Sequence, residues 1–412
     1  MRRPRVFSLS GVLLVVVLCA GTCHGLECEF HGGVYSSLEY TDNYLTTPAN
    51  RRSETTLEVG PSAEIICTAQ QLAWSFSGHV ARSYHNRFNS EDDTEVDLVS
   101  ELTATGRRDS LELGYAFIQT GREDFFRDIS GETRIHRGTL AYSRVLSTRS
   151  TVGLGYTYRT EDNTSPEQDI VSHGATGRFS HAVSERDTVR VTVGHDTYDY
   201  DISPDARVLR STLGYEHAVS PRTDVGINLE YRHVARDEDL PDSDIKSAYL
   251  FWGRSLTPQT RVLLSGGYSL LSMDDVDDDE SAFVTRAELS TDLQRDTFRL
   301  VLSREYTAEF TTDEYGTYDV RRASATWERE LLRTLRLLTT ITYVERKPVS
   351  EFDAVTGVER WEEEDVAGII SLLWSPLRYI DITSSYERIR EDEEISDTVI
   401  ENRYRMIVEV RY

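Results

Sequence analysis

The chain has 412 residues, a net charge of −25 at pH 7 and a mean hydropathy of −0.44. So acidic a balance argues against nucleic acid as a partner, because phosphate backbones are held by basic surfaces. Beyond the first 25 residues no segment approaches 18 consecutive apolar residues; a helical membrane protein is thereby excluded, whereas barrel strands, apolar only on alternate residues, dilute their signal and pass this test.

Residues 1–25 read as a signal peptide. Met1 to Arg5 form a basic start, Val6 to Ala20 an apolar run, and Cys23-His24-Gly25 the cleavage region. A lipoprotein anchor competes, since Cys19 and Cys23 lie there, but Leu18 and Thr22 replace the small residue that should precede the cysteine. The chain is expected to be exported, with residues 26–412 as one domain. Cys28 and Cys67 then remain in an oxidising compartment. If the first loop turns between Thr47 and Pro48, the two fall opposite each other on paired strands, which predicts a disulfide at the barrel rim; two free thiols are the alternative. A first strand is expected from about Val34 to Tyr40, and Pro61 inside the second predicts a bulge.

Short turn signals follow at regular spacing: Thr68-Ala69-Gln70, Gly106 to Asp109, Ser147 to Ser150, Ser184 to Asp187, Ser220 to Thr223, Thr257 to Thr260, Leu293 to Asp296, Leu332 to Thr334 and Ser375 to Arg378. Between them the chain alternates. Leu111, Leu113, Tyr115 and Phe117 oppose Glu112, Gly114 and Ala116; Val225, Ile227, Leu229 and Tyr231 oppose Gly226, Asn228, Glu230 and Arg232. A period of two sustained over roughly ten to fourteen residues is a membrane-spanning strand. A propeller would pack four short strands into each such repeat, and here there are only two long ones. The count is twenty strands, or eighteen if the first hairpin stays outside.

Midway between turns lie acidic loops, among them Glu91-Asp92-Asp93, Asp237-Glu238-Asp239, Asp274 to Glu280, Glu362 to Asp365 and Glu391 to Glu394. Long loops face outward in such barrels. The run Asp274–Glu280 lacks the spacing of a calcium loop and reads as a solvated segment. His79, His85, His136, His173, His181, His195, His217 and His233 are scattered, and no nucleophile elbow or metal-pair motif occurs. No catalytic, cofactor or metal site is read from the sequence, and Asn163-Thr164-Ser165 is taken as loop. The interior candidates are the residues opposite the apolar face: Arg159, Arg178, Arg190, Arg210, Arg232, Arg286, Arg299, Arg336, Arg403 and Arg405, interspersed with Glu112, Glu216, Glu230, Glu288 and Glu409. They line a hydrated passage, or else form a salt-bridge lattice that only stiffens the wall.

The chain ends on Tyr404 to Tyr412, where Tyr404, Met406, Val408, Val410 and Tyr412 share one face and Arg405, Glu409 and Arg411 the other. This stretch resembles the carboxyl-terminal signal read by the barrel assembly machinery. The expectation is an all-β, antiparallel, up-and-down transmembrane barrel in the outer membrane of a Gram-negative-type bacterium, in contact with lipid and lipopolysaccharide. Leu38-Glu39-Tyr40-Thr41-Asp42-Asn43, followed by Val59-Gly60-Pro61, resembles the outer-membrane β-barrel porins encoded with exopolysaccharide systems. That resemblance implies a pore for polysaccharide export working with a periplasmic export protein. A general or solute-specific diffusion porin, and a closed structural or binding barrel, are the other readings.

Overall fold

The computed structural model describes residues 26–44, 51–87, 93–121, 133–163, 169–201, 205–236, 242–273, 280–310, 315–348, 362–393 and 398–412. The signal peptide with Cys19 and Cys23, the Thr47–Pro48 turn, Thr164, Ser165 and Asp274 to Asp279 lie outside these residues. The first ten strands are β1 (Glu27–Thr41), β2 (Glu54–Ala69), β3 (Leu72–His85), β4 (Thr94–Thr105), β5 (Asp109–Thr120), β6 (Thr133–Ser147), β7 (Ser150–Asn163), β8 (Ile170–Ala182), β9 (Asp187–Tyr200) and β10 (Ala206–Ser220). The second ten are β11 (Thr223–Arg236), β12 (Ser243–Ser255), β13 (Thr260–Met273), β14 (Glu280–Asp292), β15 (Asp296–Phe310), β16 (Tyr315–Leu332), β17 (Leu335–Pro348), β18 (Glu363–Leu377), β19 (Ile380–Glu393) and β20 (Val399–Arg411).

Each strand pairs antiparallel with its chain neighbours, and β1 pairs with β20 from Gly33–Arg411 to Thr41–Arg403. The 20-stranded sheet therefore closes, and the first hairpin belongs to the wall. Closure removes the free strand edges that lipid could not hydrogen-bond, except at the outer ends of β14 and β15. The alternation sets the two faces. Leu154, Leu213, Leu229, Leu250, Tyr268, Phe283 and Ile341 are exposed on the outside, an apolar band that only lipid can cover at scale. Met273 and Glu280, the strand ends that flank residues 274–279, lie at the end of the barrel opposite to Glu27 and Arg411.

Cys28 lies opposite Cys67 in the β1–β2 register and is bonded to it, with Cα atoms 4.0 Å apart. The bridge sits on the outward parity, beside Trp74 of β3. Two expectations about proline need correction. The β2–β3 ladder lapses at Gly60 and Pro61 but resumes in the same register, so no residue is inserted there. A Cβ at Gly60 would stand 1.8 Å from the Val80 carbonyl oxygen; the strands approach too closely for any other residue. The proline-associated register shift is at the end of β18, between Trp374 and Leu377, so the strand runs through Pro376 and the turn falls at Arg378–Tyr379. The first strand is also longer than Val34 to Tyr40, since Glu27 to Thr41 all pair with β2.

Candidate functional site in the barrel lumen

The register places all ten candidate arginines on the inward face, but most are already neutralised along the wall. Arg159 meets Glu161 at 2.5 Å, Arg190 meets Glu216 at 2.6 Å, and Arg210 meets Asp196 at 2.7 Å. Glu288 is shared by Arg286 at 3.2 Å and Arg299 at 3.0 Å, and Arg336 reaches Glu328 at 3.1 Å. Arg403 is buried between Glu401 at 2.6 Å and Glu387 at 3.9 Å, and Arg405 lies near Glu58 at 3.7 Å and Glu39 at 4.0 Å. Among the described residues only Arg178 and Arg232 of the ten lack a carboxylate at ion-pair distance. Arg210 faces Arg232 directly across the ladder, and Arg137 faces Arg159, an arrangement that costs stability between like charges.

The lumen differs along its length. Arg178, Arg190, Arg299 and Arg336 toward the short turns and Arg286 at mid-strand are exposed inside the barrel, as are Glu101 and Glu112; that part of the wall is open to solvent. One inward step beyond the outer arginines the wall turns apolar and dry. Ile135, Ile170, Val208, Val234, Ile245, Leu271, Val284, Val320, Val344 and Ile389 are each at most 6 % exposed. They share the inward parity with the arginines, as Val208 precedes Arg210 by two residues and Val234 follows Arg232 by two. Together they form an internal apolar ring at the outer mouth that is interrupted on β20 and β1 to β3, where the buried inward residues are Glu401, Arg403, Glu39, Glu54, Glu58 and Ser83. The sequence reading missed it, although the parity signal was present at the strand ends.

A pinch in the wall adds to the ring. β14 and β15 pair only from Asp292–Thr297 to Thr285–Arg304, whereas β13–β14 pairing continues to Glu280 and β15–β16 pairing to Phe310. The freed end of β15 leans across the bore. Tyr306 packs with Ile245, Leu271 and Ala282. The Arg232 guanidinium donates to Thr307 Oγ1 at 3.5 Å, and that of Arg236 to Thr317 Oγ1 at 3.3 Å. β11 and β15 are four strands apart, or roughly 19 Å along a round wall at about 4.8 Å per strand, so these contacts require a flattened outer mouth. Beneath them a cavity of about 60 Å³ is lined by Arg210, Glu230, Arg232, Ser247, Tyr249, Glu305 and Tyr306. The Tyr249 hydroxyl donates to Glu230 at 2.7 Å.

The Tyr40-Thr41-Asp42-Asn43 segment closes the barrel seam. Asp42 accepts from the Asn402 backbone at 2.8 Å and from its side-chain amide at 2.7 Å. Thr41 donates to Glu401 at 2.6 Å, and Asn43 Nδ2 to the Ile400 carbonyl at 3.2 Å. The histidines divide: His79 and His85 point inward, while His136, His173, His181, His195, His217 and His233 share the outward parity near strand ends. There His136 meets the Tyr115 hydroxyl, and His173 that of Tyr156, each at 2.8 Å; His217 faces Asp187 at 2.8 Å and His233 faces Asp244 at 2.9 Å. Those are interfacial positions, at home in a membrane girdle.

No protein family matches the chain, and no curated protein does. Among solved structures it is similar to OccK2 (OpdF) of Pseudomonas aeruginosa, with 12% identity over 93% of this chain and 98% of that one and a TM-score of 0.43. It is similar to the outer membrane protein OpdK of the same organism (10% identity, 93% and 98% covered, TM-score 0.41). The siderophore receptor PirA, also of that organism, gives 10% identity, 93% and 80% coverage and a TM-score of 0.49. A closed antiparallel barrel of 20 strands with an apolar outer band and a charged, partly hydrated interior is an outer-membrane β-barrel of the Gram-negative type.

Proposed function

We propose that this chain is a gated outer-membrane channel for small polar solutes. The observation that carries the reading is a solvent-exposed, charged lumen narrowed at its outer end by a dry, largely apolar ring and by the β15 end that leans across it. A wall stiffened by ion pairs has no need of an apolar ring inside its mouth, whereas a pore that opens and closes by wetting does. The mature chain refolded into planar bilayers is expected to show a low resting conductance with discrete openings, and liposomes containing it to admit small sugars and amino acids but not their polymers. A chain that is inert in both assays, even with the ring made polar, would reject the channel.

The resemblance to exopolysaccharide-linked porins supports a second reading, export of a polymer handed over by a periplasmic protein. Its motif residues have a mechanical duty at the β1–β20 seam, which accounts for Asp42 and Asn43 without any polymer. Deleting the gene decides between the two. Loss of surface polysaccharide with precursor retained in the periplasm favours export; normal surface polysaccharide leaves the solute channel.

A further inference from the structure

We propose that the channel selects small cations over anions, despite the arginines on its wall, and that Glu101 and Glu112 are specificity-determining residues. The inference rests on the channel reading above. It starts from how the inward charges are distributed around the barrel. On β7 to β17 most inward arginines stand beside a carboxylate, as Arg159, Arg190, Arg210 and Arg336 do, and each such pair acts at the axis as a dipole whose field decays quickly; Arg178 and Arg232, and the sharing of Glu288 by Arg286 and Arg299, are the exceptions. On the arc from β18 through β5 the balance is broken. Arg411, near the inner mouth, serves Glu409 at 3.1 Å, Asp381 at 3.3 Å and Glu64 at 3.4 Å, leaving two negative charges uncompensated at one point of the wall. Further along the same arc Glu101 of β4 and Glu112 of β5 face the lumen, exposed, with no hydrogen bond or ion pair among the described residues.

A low-dielectric wall focuses such charge into the aqueous bore and raises the local concentration of counter-ions. The Debye length is about 10 Å at 0.1 M salt and about 3 Å at 1 M. The field should therefore reach across much of the bore in dilute salt and hug the wall in concentrated salt. Arg178, exposed and without a carboxylate, opposes this bias locally.

The test is the reversal potential of the full mature chain in planar bilayers under a KCl gradient, with the ring substitutions Val234→Ser and Val320→Ser as an open background. Potassium should be preferred over chloride, more strongly in dilute than in concentrated salt. Glu101→Gln with Glu112→Gln should shift the reversal potential toward zero, and Arg178→Gln should shift it further toward cation selectivity. The two glutamates make no structural bond, so the variant should fold, which the compact gel migration of an unheated barrel verifies. Preference for chloride, or a ratio that the double substitution does not move, would overturn the inference. Absence of conductance in every variant would remove the channel reading and this inference with it.

Discussion

Val234 and Val320 are the residues at which the proposed gating is most directly tested. Both have no measurable exposure, and both stand two residues from an inward arginine. Each hydroxyl placed there lacks the partners that a buried polar group needs, and its cheapest remedy is water entering from the hydrated side. Val234→Ser with Val320→Ser should raise the resting conductance severalfold in bilayers, while Val234→Leu with Val320→Leu should keep it low. Equal conductance for both pairs would mean that the ring does not close the bore. The parity of these residues was legible in the sequence, but the alternation is clearest at strand centres, and near the loops the inward face changes from charged to apolar on β10 to β14, while on β20, β1 and β2 it stays charged. The arginines were placed on the correct face. What the sequence could not supply was which carboxylate each one meets, because that depends on the pairing of neighbouring strands and on side-chain reach along them.

At the scale of the strand, two devices hold the ends of the sheet together. Asp42 ties β1 to β20 through two hydrogen bonds on Asn402, and bonds to a charged acceptor contribute about 1.5–3 kcal/mol each. Asp42→Ala should therefore lower the temperature at which the compact gel band converts to the unfolded one, and Asp42→Asn should recover part of the loss. The Cys28–Cys67 bridge closes a segment with sequence separation 39, worth about 4 kcal/mol in the chain-entropy account. Cys28→Ser with Cys67→Ser should lower the same transition further, with the barrel still assembled. The number of strands, the opposed cysteines and seven of the nine short turns were readable because each follows from a period of two and from local turn chemistry; the first turn falls at Gln70–Gln71, since Thr68 and Ala69 still pair within β2. Pro61 misled because a proline can be absorbed by a missing ladder bond where a glycine lets the neighbouring strand come close, and Gly60 does that here.

The barrel wall is one sheet, and an opening of the mouth meets least resistance where the described strands are already parted. That place is the seam above Thr285–Arg304, where the ends of β15 and β16 remain paired to each other while β15 is free of β14. The hairpin end is held inward by Tyr306 against an apolar wall and by Arg232 and Arg236 on threonine hydroxyls. These are neutral-acceptor bonds and one aromatic contact, fewer than the continuous ladders elsewhere. Swinging the end outward would remove the pinch, widen the ring and expose the cavity beneath Arg232 in a single motion, with the rest of the wall unchanged. Thr307→Cys paired with Arg232→Cys and joined by a short bifunctional thiol reagent should hold the channel in its low-conductance state. The same pair left unlinked should conduct more than the parent, since the Arg232 tether is gone. Openings of parental size and frequency after crosslinking would show that the β15–β16 end is a fixed part of the wall.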